Sequence, residues 1–63
     1  MKLDRNKINV AMARKQMTIG DLAAAYGVSR NRINTLLNQR EVSTRAAGRL
    51  AAALEVDVTE ILE

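Results

Sequence analysis

The sequence predicts an all-α fold, a compact bundle of five helices formed by residues 1–63 as a single domain. Two observations carry that expectation, and a third bounds what can hold the fold together. The chain contains no Pro and only three Gly in 63 residues, so helix breakers are scarce. Its apolar residues recur at helical spacing, and each run is preceded by an Asp, Asn, Ser or Thr suited to cap a helix. Cys and His are both absent, which removes disulfides, thiolate chemistry and the usual zinc ligands. A chain of this size buries only about 60% of its unfolded surface, so apolar packing must hold the fold together, alone or with a partner.

The first helix is predicted from about Asp4 to Lys15, with Asp4 or Asn6 as its cap. Ile8, Ala11, Met12 and Lys15 share one face, and Ile8 and Met12 stand four apart. The second helix is predicted from Ile19 to Tyr26. Thr18 followed three residues later by Asp21 makes a capping box, and Leu22, Ala23 and Tyr26 face inward. Gly20 falls in its first turn, where glycine costs about 1 kcal/mol relative to Ala. Either another backbone closes in there, or the residue is tolerated. Gly27 ends the helix, because a sharp turn needs a residue at ease with positive φ.

The third helix is predicted from Arg30 to about Gln39, capped by Ser29. The loop Arg40 to Val42 leads to a fourth, capped by Ser43, with Ala47, Leu50, Ala51 and Leu54 as its buried stripe and an end at Glu55-Val56. A short fifth turn runs from about Val58 to Leu62, with Asp57 and Glu60 in capping-box spacing.

The pair of helices spanning Ile19 to Leu37 has the spacing of a helix-turn-helix, whose second helix enters the DNA major groove. Ala23 is small where two steeply crossed backbones approach, and Val28, Ile33, Leu36 and Leu37 hold the second helix down. With that stripe inward, Asn31, Asn34, Thr35 and Asn38 point away from the core, flanked by Arg30, Arg32 and Gln39. Asn and Thr are mediocre helix formers, and the helix contains no acid. A face shaped for stability alone would carry Glu-Lys pairs. Asn can bond bidentately to adenine, Arg to guanine, and a Thr methyl can touch a thymine methyl. Thr18 and Ser29 begin helices whose free N–H groups and dipoles suit a phosphate, although capping alone also explains Thr18.

Charge points the same way. Residues 1–49 hold all ten Lys and Arg against Asp4, Asp21 and Glu41, whereas residues 50–63 hold four acids and no base. A basic body with an acidic end suits a protein that turns one face toward a polyanion. Lys2, Arg5 and Lys7 are placed to reach phosphate as an N-terminal arm, and Arg40 just past the third helix. Arg45 and Arg49 read as solvated charges.

Other chemistries are poorly served. Ser29 and Ser43 have no His partner, the carboxylates are scattered, and no phosphate-cradling glycine loop is present, so no enzyme, metal or cofactor is expected. Tyr26 is the sole aromatic, which leaves no stacking platform for single strands. No apolar run approaches the ~20 residues of a membrane span, and no signal peptide is evident. A cytoplasmic, DNA-associated protein is expected.

The stretch NKINVAMARKQMTIGDLAAAYGVSRNRINTLLNQ, with LAAALEVDVTEIL near the end, resembles the Cro/repressor-type helix-turn-helix family, the lambda-repressor-like domains of XRE-type regulators. The resemblance implies a five-helix fold that binds double-stranded operator DNA, commonly as a homodimer on a two-fold site. It implies base contacts from Arg30, Asn31, Asn34 and Thr35, and backbone contacts from Thr18, Ser29, Arg32, Asn38 and Arg40. It further implies a small repressor that blocks polymerase, of phage or mobile-element type. An antitoxin-like protein, binding a partner protein as well as DNA, is the alternative.

Three positions depart from the family pattern. Ile19 stands where many members carry a phosphate-binding Gln, and Gln39 where many carry Gly. Met12 and Leu37 stand where many pair Arg with Glu, and an apolar pair can replace a buried ion pair at little cost. Met12 and Leu37 are therefore expected to meet in the core. Val42, Val58 and Leu62 are open to two roles, finishing the core or forming a dimer interface.

Overall fold

A computed structural model describes residues 1–39 and 41–63. Four α-helices form: α1 (Arg5–Arg14), α2 (Ile19–Tyr26), α3 (Arg30–Asn38) and α4 (Thr44–Leu54). A 3-10 turn at Val58–Ile61 closes the fold. The five expected segments are all present, the fifth as 3-10 rather than α-helix.

Each helix starts where a side chain meets its orphan N–H groups. Asp4 accepts from Lys7 N at 3.1 Å, so α1 begins one residue later than expected. Thr18 and Asp21 form the full capping box on α2, Ser29 accepts from Arg32 N at 3.2 Å, and Ser43 from Ala46 N at 3.1 Å. Asp57 and Glu60 close a second capping box on the final turn.

Three endings share one device. Gln16 (φ 55°), Gly27 (φ 93°) and Glu55 (φ 56°) take the left-handed conformation after α1, α2 and α4. The next N–H then reaches back five residues: Met17 to Met12 O, Val28 to Ala23 O and Val56 to Ala51 O, at 2.9–3.0 Å. Met17, Val28 and Val56 each pack on the core, so every turn also buries apolar surface. α3 differs. It ends at Asn38, and Gln39 leaves in extended backbone.

Every element contributes to one core. Ile8, Leu22, Ile33, Leu50, Leu54 and Ile61 are the large side chains buried completely among the described residues. α2 lies against both α3 and α4, while the closing turn packs on α1 and α4. Met12 and Leu37 are both buried in this core. Among the described residues no polar or charged side chain is buried.

The N-terminus corrects an expectation. Lys2 and Leu3 form isolated β-bridges with Glu41 and Leu62. Val42 N donates to Met1 O at 2.8 Å, Asp4 N to Ile61 O at 2.8 Å and Glu63 N to Lys2 O at 3.1 Å. The segment is thus fastened between the α3–α4 connection and the C-terminal residues, with Leu3 as a buried plug. It is not a free arm. Lys7 Nζ donates to Leu62 O at 2.8 Å, and Arg5 Nε to Asn9 Oδ1 at 3.3 Å. Lys15 also leaves its expected inward face: it is exposed and pairs with Glu55. Val42 is buried in the core, while Val58 and Leu62 are half-buried against it.

Candidate nucleic-acid interface

The second helix of the motif is built to show one polar side. Ile33 and Leu37 are buried and Leu36 is half-buried, which pins α3 through a single stripe. Arg30, Asn31, Arg32, Asn34, Thr35 and Asn38 are all exposed, as are Thr18 and Ser29 at the starts of α2 and α3. At about 100° per residue, Asn31, Thr35 and Asn38 occupy the side opposite Ile33 and Leu37. Arg30 lies at one edge of that side and Arg32 at the other. The structure therefore gathers eight of the nine expected contact residues on α3 and the two helix starts beside it. The ninth, Arg40, lies outside the described residues.

Local bonds restrict what these groups can do. Thr35 Oγ1 donates to Asn31 O at 3.0 Å, so its hydroxyl proton is satisfied inside the helix. Its oxygen keeps lone pairs able to accept, beside the side-chain methyl. Ser29 and Thr18 oxygens already accept from backbone N–H groups as caps. The Asp21 carboxyl is held below its ordinary range, first by the Thr18 backbone N–H, then by the Thr18 hydroxyl, and further by the Arg30 charge. Ile19, where a polar side chain would face out, is half-buried against the core.

The cations of the chain divide between paired and unpaired ones. Arg14 pairs with Glu60 at 3.2 Å and Lys15 with Glu55. The Lys15 hydrogen bond and charge lower the Glu55 pKa. No such pair involves Arg30 or Arg32 among the described residues.

Two participants were not foreseen. Arg49, expected as a solvated charge, donates from Nη2 to Tyr26 O at 2.7 Å and lies 4.3 Å from the centre of the Tyr26 ring. It thereby serves the last turn of α2, where a cation complements the helix dipole, and stacks on the aromatic face. Their separation of 23 residues gave the sequence no local signal. The second is Gly20. What approaches it is neither backbone nor empty space but the Arg30 guanidinium: a Cβ built there would lie 2.9 Å from Arg30 Nε and Nη2. A glycine retained in a first turn was its only trace in the sequence.

No helix is long and apolar enough to cross a membrane among the described residues. Neither the curated proteins nor the solved structures compared with the chain give a match. The family profile of the Cro/C1-type HTH DNA-binding domain, however, matches residues 7–63, nearly the whole chain and all of the paired helices described above. With that match and an exposed, acid-free α3 in hand, the chain belongs to the Cro/C1-type helix-turn-helix DNA-binding domains, the class of DNA-binding transcription regulators.

Proposed function

We propose that the chain is a sequence-specific double-stranded DNA-binding regulator that acts as a repressor by occupying an operator. The observation that carries this reading is the outer side of α3: three Asn, one Thr and two Arg, all exposed and without a carboxylate among them. Asn31, Asn34 and Thr35 supply base readout, with Arg30 placed beside them by the family resemblance. Thr18, Ser29, Arg32, Asn38 and Arg40 contact phosphate or sugar. Phosphate contacts dominate affinity, and base contacts set specificity.

A single 63-residue module offers little contact area, so the working unit is a homodimer with two recognition helices about 34 Å apart, one turn of DNA. Selection of bound sequences from a random duplex pool tests the reading. A two-fold symmetric consensus with half-sites one turn apart is expected. Recovery of no consensus, with affinity insensitive to salt, refutes it.

A further inference from the structure

We infer that Gly20 is a seat for the Arg30 guanidinium, and that Arg30 held there grips the phosphate backbone instead of reading a base. The inference rests on the DNA-binding reading and refines it at one residue. Arg30 occupies the edge of the exposed side of α3 nearest the buried Leu37, away from Asn31, Thr35 and Asn38 at its centre. Its side chain extends back across the first turn of α2, close enough that the hydrogen of Gly20 is the largest substituent that fits under Nε and Nη2.

Asp21 draws it the same way. The Arg30 charge acts on that carboxylate, yet Asp21 is committed to the capping box through Thr18 N at 2.9 Å and makes no ion pair with Arg30. The guanidinium is thus attracted to α2 without being neutralised, and its donors stay available for an anion. Arg32 holds the opposite edge of α3. A helix in the major groove has base edges ahead of it and a phosphate strand on either side. Two arginines at opposite edges fit the two strands, and Asn31, Asn34 and Thr35 between them fit the bases.

The test compares the wild type with Gly20→Ala, Arg30→Ala and the double variant, on the selected duplex and on a random duplex of equal length. The group displaced by a Cβ at Gly20 is the far end of a flexible side chain, and Ala favours helix over Gly, so Gly20→Ala should keep or raise the melting temperature. The expected result is that each single variant weakens both duplexes by the same factor. The log–log salt slope should fall by about 1.8, one phosphate contact of ~0.9 from each subunit of the dimer, and the double variant should be no weaker than Arg30→Ala. The selected consensus should not change.

The inference is overturned if Arg30→Ala relaxes one base position, with a loss of about tenfold or more confined to the preferred site. It is equally overturned if Gly20→Ala binds as the wild type does. If the wild type itself shows no salt-dependent duplex affinity, the DNA-binding reading fails, and this inference with it.

Discussion

Two basic regions of this molecule meet opposite fates. On α1 and just after it, Lys7, Arg14 and Lys15 are all answered from within the chain: Lys7 by the Leu62 carbonyl, Arg14 by Glu60 and Lys15 by Glu55. On α3, Arg30 and Arg32 have no carboxylate at ion-pair distance among the described residues, although Asp21 lies near Arg30. Two of the four C-terminal acids, Glu55 and Glu60, are therefore internal counter-ions for the cations at the end of α1. An overall charge of +3 conceals two arginines without a counter-ion on α3 and two paired cations at the end of α1.

The sharpest way to break the contrast is to place an acid beneath the exposed face of α3. Leu37 is 5% exposed in the same core as Met12. Leu37→Glu buries a carboxylate with no partner and should destabilise the fold by several kcal/mol, read as a large fall in melting temperature. Leu37→Met, of similar volume, should cost less than ~1.5 kcal/mol. A Leu37→Glu variant that melts with the wild type would show that this stripe does not anchor α3.

The next effect concerns recognition. Asn31→Ala and Asn34→Ala should each cost about 1–3 kcal/mol on the preferred duplex while leaving random-duplex affinity almost intact. Both residues are exposed and remote from the core, so their melting temperatures should stay close to that of the wild type. Equal losses on both duplexes would mean that Asn31 and Asn34 contact backbone.

Arg49 sharpens the comparison as a cation of a third kind, satisfied by the backbone and an aromatic ring. Arg49→Ala removes the bond to Tyr26 O and the stacking on its ring, and should cost about 1 kcal/mol in denaturant unfolding. Arg49→Lys should recover only part of that, since an ammonium lacks the planar fork. Arg45→Ala, for which no partner is found among the described residues, serves as the control.

How much of this was legible depends on how local each cause is. Caps are local. Thr18, Ser29, Ser43 and Asp57 all start the elements expected of them, because a capping side chain acts within three residues. The Gly27 turn is local for the same reason. Gln16 and Glu55 adopt the same left-handed ending without being glycine, so tertiary packing of Met17 and Val56 overrides a preference of about 1–2 kcal/mol. The exposed side of α3 was legible from period alone. The fastening of residues 1–4, the Arg49–Tyr26 stack and the Gly20–Arg30 contact were not. Each joins residues at least ten apart, and the first runs through backbone groups that every residue carries.

The smallest effect tests the balanced side of the contrast. Glu55 and Glu60 are exposed and screened by solvent, so Glu55→Gln and Glu60→Gln should each leave the melting temperature close to that of the wild type at moderate salt. The pH dependence has a definite sign. Asp21, Glu55 and Asp57 have pKa values lowered by folding, so they favour the native state above the unfolded carboxylate range, and that stability is lost as pH falls through their folded values. With no His in the chain, thermal stability should be nearly flat from pH 7 to about 5 and decline below about 4. Glu55→Gln should flatten part of the decline, whereas Asn34→Ala should leave it unchanged. If Glu55→Gln instead raised random-duplex affinity as much as an added lysine on α3 would, the α1 cations would reach the DNA, and the division of charge between the two faces would be wrong.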